Sequence, residues 1–216
     1  MPNWVTNSVS IEASPDVIKQ IAGQLSAPYD RPQTDWKTQE VTVITVKEPI
    51  QFWNILRPDN LEEYYKTCDS SQFGNQLNWY NWNNSHWGTK WDASDPDSTI
   101  SDDGTIITYS FDTPWSPPVP VFLELSRQYP TANISLSYRE EQMWGGHVRY
   151  LNGEITEDNY YEWSCSYCTY EAGIDDPHGE WCDDCDNTVC PECHLNYDEQ
   201  ECPHAEELFK KEEVNA

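Results

Sequence analysis

The chain has few positive charges. Twelve lysines and arginines face 38 aspartates and glutamates over 216 residues, for a formal net charge of -26. Such a surface repels phosphate backbones and anionic lipid. That argues against direct nucleic-acid or membrane binding and leaves a protein with a basic surface as the complementary partner. Also missing is any apolar run near the ~18 residues a bilayer-spanning helix needs. Met1 to Ser10 has neither the basic start nor the apolar stretch of a signal peptide, so a soluble, cytoplasmic protein is expected. There is no P-loop, GxSxG elbow, HExxH pair or dinucleotide glycine fingerprint. His86 and His147 have no nucleophile beside them in sequence, and acid pairs such as Glu140 and Glu141 arise by chance among so many acids. The expectation is a non-enzymatic protein.

Cysteine, by contrast, is concentrated. Seven of the eight fall between Cys165 and Cys202, six of them in the CxxC pairs Cys165/Cys168, Cys182/Cys185 and Cys190/Cys193, and Cys202 and His204 follow. Cysteines this close suit tetrahedral metal better than mutual disulfides, and a two-residue gap lets both sulfurs reach one ion. Seven thiols and His204 make two sets of four, so two Zn2+ ions are expected. One zinc with spare thiols and a disulfide cluster are the alternatives, and His178 or His194 could replace His204. Closed four-ligand sites are structural, and in so short a segment the metal supplies most of the folding free energy, on the order of 10 kcal/mol per site. Asp183, Asp184 and Asp186 lie beside the ligands, in a stretch that has only Lys210 and Lys211 to meet phosphates. This reads as an acidic docking face. Clustered thiols fit a reducing, intracellular compartment, and the lone Cys68 reads as a buried thiol.

The preceding residues read as one aromatic-rich domain. In Trp4 to Glu12 the apolar Val5, Val9 and Ile11 partly alternate with polar neighbours, as in a strand with one wet face. Ser14 and Pro15 open a helix with Val17, Ile18, Ile21, Ala22 and Leu25 on its apolar side. Residues 27 to 38 look like a loop, and Val41 to Val46 or Ile50 to Leu56 supplies the next strand. Pro58, Asp59 and Asn60 cap a short helix through Leu61, Tyr64 and Tyr65. Ser70 to Asp103 has no clean period and reads as a packed insertion. Thr105 to Phe111 is a β-branched strand, followed by a helix with Val119, Phe122, Leu123, Ser126 and Tyr129 on one stripe. Strands at Ile134 to Tyr138 and Gly145 to Leu151 follow, then a linker at Asn152 to Asn159. The sum is an α+β fold, a ferredoxin-like antiparallel sheet with helices on one face and an aromatic-rich insertion. The expected domains are 1–155, a two-zinc module at 160–206, and a charged tail at 207–216.

Within the insertion, Trp87, Lys90, Trp91 and Asp92, joined by Trp115, combine flat apolar faces with one cation and one carboxylate. That mixture suits a planar, nucleotide-like ligand. The plainer reading is that the tryptophans pack a core and that Lys90 pairs with a carboxylate such as Asp92.

The strings MPNWVTNSVSIEA at the start, HWGTKWDA at 86 to 93, FDTPWSPPVP at 111 to 120 and the later LSYREE, with Gly145 and Gly146, resemble the YubB-like proteins of plasmids and phages. The resemblance covers residues 1–151. It implies a ferredoxin-like domain and an origin on a mobile element, with modulation of host defence as a setting, and it implies no particular activity. This chain has Val5 where such relatives often have cysteine. The tail looks like a ZZ-type zinc finger, which implies that Cys165, Cys168, Cys190 and Cys193 hold one zinc and Cys182, Cys185, Cys202 and His204 the other. The final pair in that family is usually two histidines, and Cys202 departs from it.

Overall fold

The computed structural model describes residues 3–35, 37–38, 40–65, 78–142 and 144–164, with short strands at 171–172, 180–182 and 187–189. In chain order the elements are β1 (Trp4–Glu12), α1 (Pro15–Leu25), β2 (Tyr29–Thr34), β3 (Val41–Val46), a 3-10 turn (Phe52–Asn54), α2 (Leu61–Tyr64), α3 (Trp79–His86), β4 (Ser94–Ile100), β5 (Ile106–Pro114), α4 (Val119–Gln128), β6 (Asn133–Glu140), β7 (Gly145–Leu151) and β8 (Glu154–Tyr161). The short strands β9 (Trp163–Ser164), β10 (Glu171–Ala172), β11 (Glu180–Cys182) and β12 (Asn187–Val189) follow. The chain divides into two units, Met1–Glu140 with His147–Asp158, and Glu141–Gly146 with Asn159–Ala216.

β1 is the organising strand. Its side chains alternate between faces, so Val5, Val9 and Ile11 are buried while Thr6 and Ser8 face outward. It pairs antiparallel with β5 on one side and β6 on the other, with Ser8 opposite Ser110 and Ser137. β4 pairs antiparallel with β5, and the sheet order is β4-β5-β1-β6-β7-β8. Taken alone, β1, α1, β4, β5, α4 and β6 have the ferredoxin-like connectivity, with β7 and β8 extending one edge. This is the expected fold.

α1 begins at Pro15, where the missing N–H is no loss, and buries Ile18, Ile21 and Leu25 against β5. Ser14 occupies the cap position with extended backbone but makes no side-chain cap bond. α4 packs on β6 and buries Val121, Phe122, Leu125 and Ser126, so its stripe runs through Leu125 rather than the expected Leu123. Phe52, fully buried on the 3-10 turn, meets Phe111, Phe122 and Trp87 edge-on at 5.5, 6.5 and 5.8 Å between centroids. Through Phe52 the insertion is tied to sheet and helix.

Several elements differ from the sequence reading. Residues 27–38 are not a loop, because β2 pairs with β3 from Tyr29↔Val46 to Thr34↔Val41 as a separate hairpin. Pro32 signals a break, but a two-stranded ribbon tolerates a missing donor on its outer edge. Ile50 to Leu56 winds into the 3-10 turn instead of a strand. The open place in the sheet goes to β4, from inside the supposed insertion. Its sequence SDPDSTI lacks alternation because it is an exposed edge, which Pro96, Asp95 and Asp97 protect from further pairing. The supposed linker holds most of β8. Asn152 and Gly153 both have positive φ, 51° and 77°, the hairpin turn that an Asn-Gly pair favours.

Most of the zinc-module residues lie outside the described ones: Cys165, Cys168, Cys185, Cys190, Cys193, Cys202, His204 and the acids Asp183, Asp184 and Asp186. So do Cys68, His178, His194 and the tail 207–216, while Cys182 ends β11. In the second unit β9 pairs with β10 and β11 with β12. Among the described residues no helix is long and apolar enough to cross a membrane.

Gly88 is the glycine whose freedom the fold needs most. Its φ is 78°, and a Cβ there would lie 2.9 Å from Pro120 Cδ and 3.3 Å from the Pro117 carbonyl. Neither neighbour is a flexible chain end. Gly88→Ala is expected to cost about 1–3 kcal/mol in urea unfolding, from left-handed strain and overpacking together. A change below a few tenths would show that the 87–93 loop moves freely away from α4.

Candidate functional site

Aromatic residues from β2, the 3-10 turn, α2, α3 and the 87–94 segment surround a cavity of about 540 Å³. Tyr29 at the start of β2 stacks on Trp53 of the 3-10 turn, with centroids 5.2 Å apart and planes 15° from parallel. Trp53 in turn meets Tyr64 and Tyr65, at the end of α2, at 5.4 and 6.2 Å. Tyr64 sits edge-on to Trp82 of α3, which sits edge-on to Trp87. Side-chain bonds fix these rings. Asn60 caps α2 by accepting from the Glu63 amide, and Asn78 caps α3 by accepting from Asn81. Tyr64 Oη donates to Asn83 Oδ1 at 2.9 Å, Asn83 Nδ2 donates to the Lys90 carbonyl at 2.9 Å, and Trp87 Nε1 donates to the Leu56 carbonyl at 2.7 Å. Burial raises the hydroxyls of Tyr29 and Tyr64 well above the ordinary tyrosine range, so both stay protonated.

Asp92 is the acidic group of this wall. Its Oδ1 accepts from the Phe52 amide at 2.7 Å and the Ala93 amide at 2.8 Å, and its Oδ2 accepts from the Trp53 amide at 3.4 Å. The residue keeps some exposed surface, but its carboxylate is enclosed. Desolvation pushes it up to about 6, against the three amides and Arg31, which favour the charge. The carboxylate therefore both fixes the 3-10 turn and presents a costly negative charge to the cavity.

The structure separates the five residues singled out in the sequence. Trp87, Trp91 and Asp92 line the cavity; Lys90 and Trp115 do not. Lys90 Nζ lies 4.4 Å from the Trp91 ring centroid and 4.8 Å from that of Trp115, in a cation–π clamp. Among the described residues it meets no carboxylate, so the expected pairing with a carboxylate such as Asp92 gives way to contact with the two rings. The clamp joins two loops that are also stitched by Thr89 Oγ1 donating to the Pro114 carbonyl at 2.9 Å and by a bond from the Ser116 hydroxyl to the Gly88 carbonyl. It also holds Trp115 in the left-handed region at φ 70°, a strain of order 1–2 kcal/mol for a non-glycine residue.

Residues 86–176 match the family described as the ferredoxin-like domain in Api92-like protein. Its span begins at the end of α3 and passes the residue 151 at which the resemblance was expected to end. Among solved structures, the crystal structure of protein Api92 from Yersinia pseudotuberculosis aligns with a TM-score of 0.48 and 9% identity, over 74% of this chain and 98% of that one. No curated protein matches the chain. Trp87, Trp91 and Asp92 fall inside the span matched to the ferredoxin-like family, whereas Tyr29, Arg31, Trp53, Tyr64 and Tyr65 fall outside it.

Those five wall residues went unrecognised in the sequence as a site. Their signal was the aromatic pairs in QFWN and EEYY, which look like core until β2 brings Tyr29 and Arg31 beside them. The two histidines have separate surroundings. His86 stacks on Trp82 at 4.3 Å. His147 lies between Ser137 Oγ, 2.8 Å from Nδ1, and Ser135 Oγ, 3.3 Å from Nε2. Arg149 Nε donates to Nε2 at 3.4 Å. An arginine only donates, so Nε2 is the accepting nitrogen and Nδ1 carries the proton toward Ser137. That tautomer presents no base to Ser137, and the accepting Nε2 beside Ser135 already takes the Arg149 N–H.

Proposed function

We propose that this protein binds a small planar molecule in the cavity formed by β2, the 3-10 turn, α2, α3 and the 87–94 segment, and that it works by binding rather than by catalysis. The observation that carries the proposal is the wall itself. Tyr29, Trp53, Tyr64, Tyr65, Trp87 and Trp91 surround about 540 Å³, with Arg31, Glu48 and Asp92 as charged groups. That volume lies within the range of small-molecule sites, and aromatic faces interspersed with polar groups can hold and orient a planar ligand. The nucleotide-like ligand expected from sequence is one member of this class.

Trp91 is 38% exposed, so its truncation should leave the fold intact. Trp91→Ala is expected to weaken a ligand that stabilises the wild type by about tenfold or more, since one aromatic stacking partner is worth roughly 1–3 kcal/mol. Lys90→Ala should change affinity far less. Thermal shift against a panel of nucleosides, nucleotides and flat amines reads both. If nothing in the panel stabilises the wild type, the cavity is only a packing defect.

Cysteine spacing supports a second reading. Seven thiols and an imidazole form a donor set that fits two structural zincs, and the flanking acids suit a basic protein surface. On this reading the protein, from a phage or plasmid, docks through residues 160–206 on a basic, nucleic-acid-handling or defence protein of the host, as an inhibitor or mimic.

A further inference from the structure

We infer that the cavity selects an organic cation bearing N–H donors, of the amidinium or guanidinium type, over an anion of the same shape. The inference rests on the cavity being a binding site and adds the charge of its occupant.

Two enclosed polar groups in the wall are acceptors. One is the Asp92 carboxylate, whose Oδ2 takes only the long Trp53 contact at 3.4 Å. The other is Gln51, which is 1% exposed and also lines the cavity. Its Nε2 reaches the Ala27 carbonyl at 3.2 Å and the Glu48 carbonyl at 3.5 Å. Turning the amide over would face its oxygen with two carbonyls, so the assignment is forced. Gln51 Oε1 is then a buried acceptor with no hydrogen-bond partner; a ligand N–H reaches it only after a small rotation of the side chain, and meeting one recovers the free energy that such an atom costs.

The remaining groups point the same way. The rings of Tyr29, Trp53 and Trp91 offer the negative faces that attract cations. The lining holds one cation, Arg31, against two carboxylates, Glu48 and Asp92, so it carries an excess of negative charge even with Arg31 acting on Asp92. Tyr29, Tyr64 and Tyr65, the other titratable groups that influence this region, have hydroxyls raised by burial and so add no charge at neutral pH. Finally, a chain of net charge -26 draws cations toward any opening in its surface.

Three probes with one ring isolate charge: benzamidinium, neutral benzamide and benzoate, with AMP as a phosphate-bearing arm. Calorimetric titration of the full chain is expected to rank benzamidinium first, about ten- to hundredfold tighter than benzoate, the worth of one charge-assisted hydrogen bond. Asp92→Asn should remove most of that advantage and change benzamide affinity far less. In the wild type, benzamidinium affinity should fall as pH drops from 7 to 5 and Asp92 takes up its proton, an arm that needs no variant. Benzoate or AMP binding as well as benzamidinium would overturn the inference and make Arg31 the selecting group, with the cavity still a site. No binding by any probe would overturn the cavity reading as well.

Discussion

Removal of metal by a chelator is expected to release two zinc ions per chain and to unfold residues 160–206, while the six-stranded sheet keeps its own unfolding transition. The reason is size. A segment of this length, with its polar and acidic composition, has little apolar surface to bury, so the ligand bonds must supply its stability, on the order of 10 kcal/mol per site. The ferredoxin-like domain has Val5, Ile21, Phe52, Phe122, Leu136 and Tyr150 fully buried, and this apolar core is expected to hold it after chelation. Native mass spectrometry before and after chelation counts the ions, and circular dichroism follows the two transitions. If the pairing follows the likeness to ZZ-type fingers, Cys165→Ser and Cys182→Ser should each cost one zinc, because that pairing assigns them to different ions. A metal-free protein with its cysteines in disulfides would refute the zinc reading. If the module docks on a basic protein, that complex should dissociate as salt is added, and sooner when Asp183, Asp184 and Asp186 are reversed in charge.

Asp92→Asn is expected to stabilise the domain relative to the wild type at pH 7 and to lose that advantage near pH 4. The folded carboxyl titrates at about 6, against a reference of 3.8, chiefly because burial penalises its charged form. Between those values the native state holds a proton that the unfolded chain has released. The group's contribution is therefore fully present below the unfolded value and is lost as pH rises through the folded one. A shift of this size corresponds to roughly 3 kcal/mol, a ceiling because the residue keeps some solvent contact. Asparagine keeps a carbonyl oxygen for the Phe52 and Ala93 amides and does not titrate. The difference in unfolding free energy between variant and wild type should thus grow by up to about 3 kcal/mol from pH 4 to pH 7. Urea unfolding at several pH values measures it, and taking the difference cancels the other acids. A difference that stays flat with pH would mean the carboxylate is solvated in the native state.

Local pattern alone made much of this protein legible. The period-two burial of Val5, Val9 and Ile11, of Ile107, Tyr109 and Phe111, and of Ile134, Leu136 and Tyr138 marks three adjacent strands. Pro15 and the spacing of Ile18, Ile21 and Leu25 mark α1, and the CxxC pairs with their acidic neighbours are read directly from the chain. These signals are properties of neighbouring residues, set by backbone geometry and by which face must leave water. Tertiary structure decided the rest. The polar SDPDSTI becomes β4 only because β5 offers it an edge, and the β-branched VTVITV pairs outside the main sheet with β2. The same holds for the cavity. Asp92 reaches an amide 40 residues away at Phe52, and Tyr29 finds its stacking partner in Trp53. Lys90, beside Asp92 in sequence, turns instead to the rings of Trp91 and Trp115. An aromatic residue carries the same apolar area whether it fills a core or walls a site, so composition placed these rings in the interior, and packing determined which of them face the cavity.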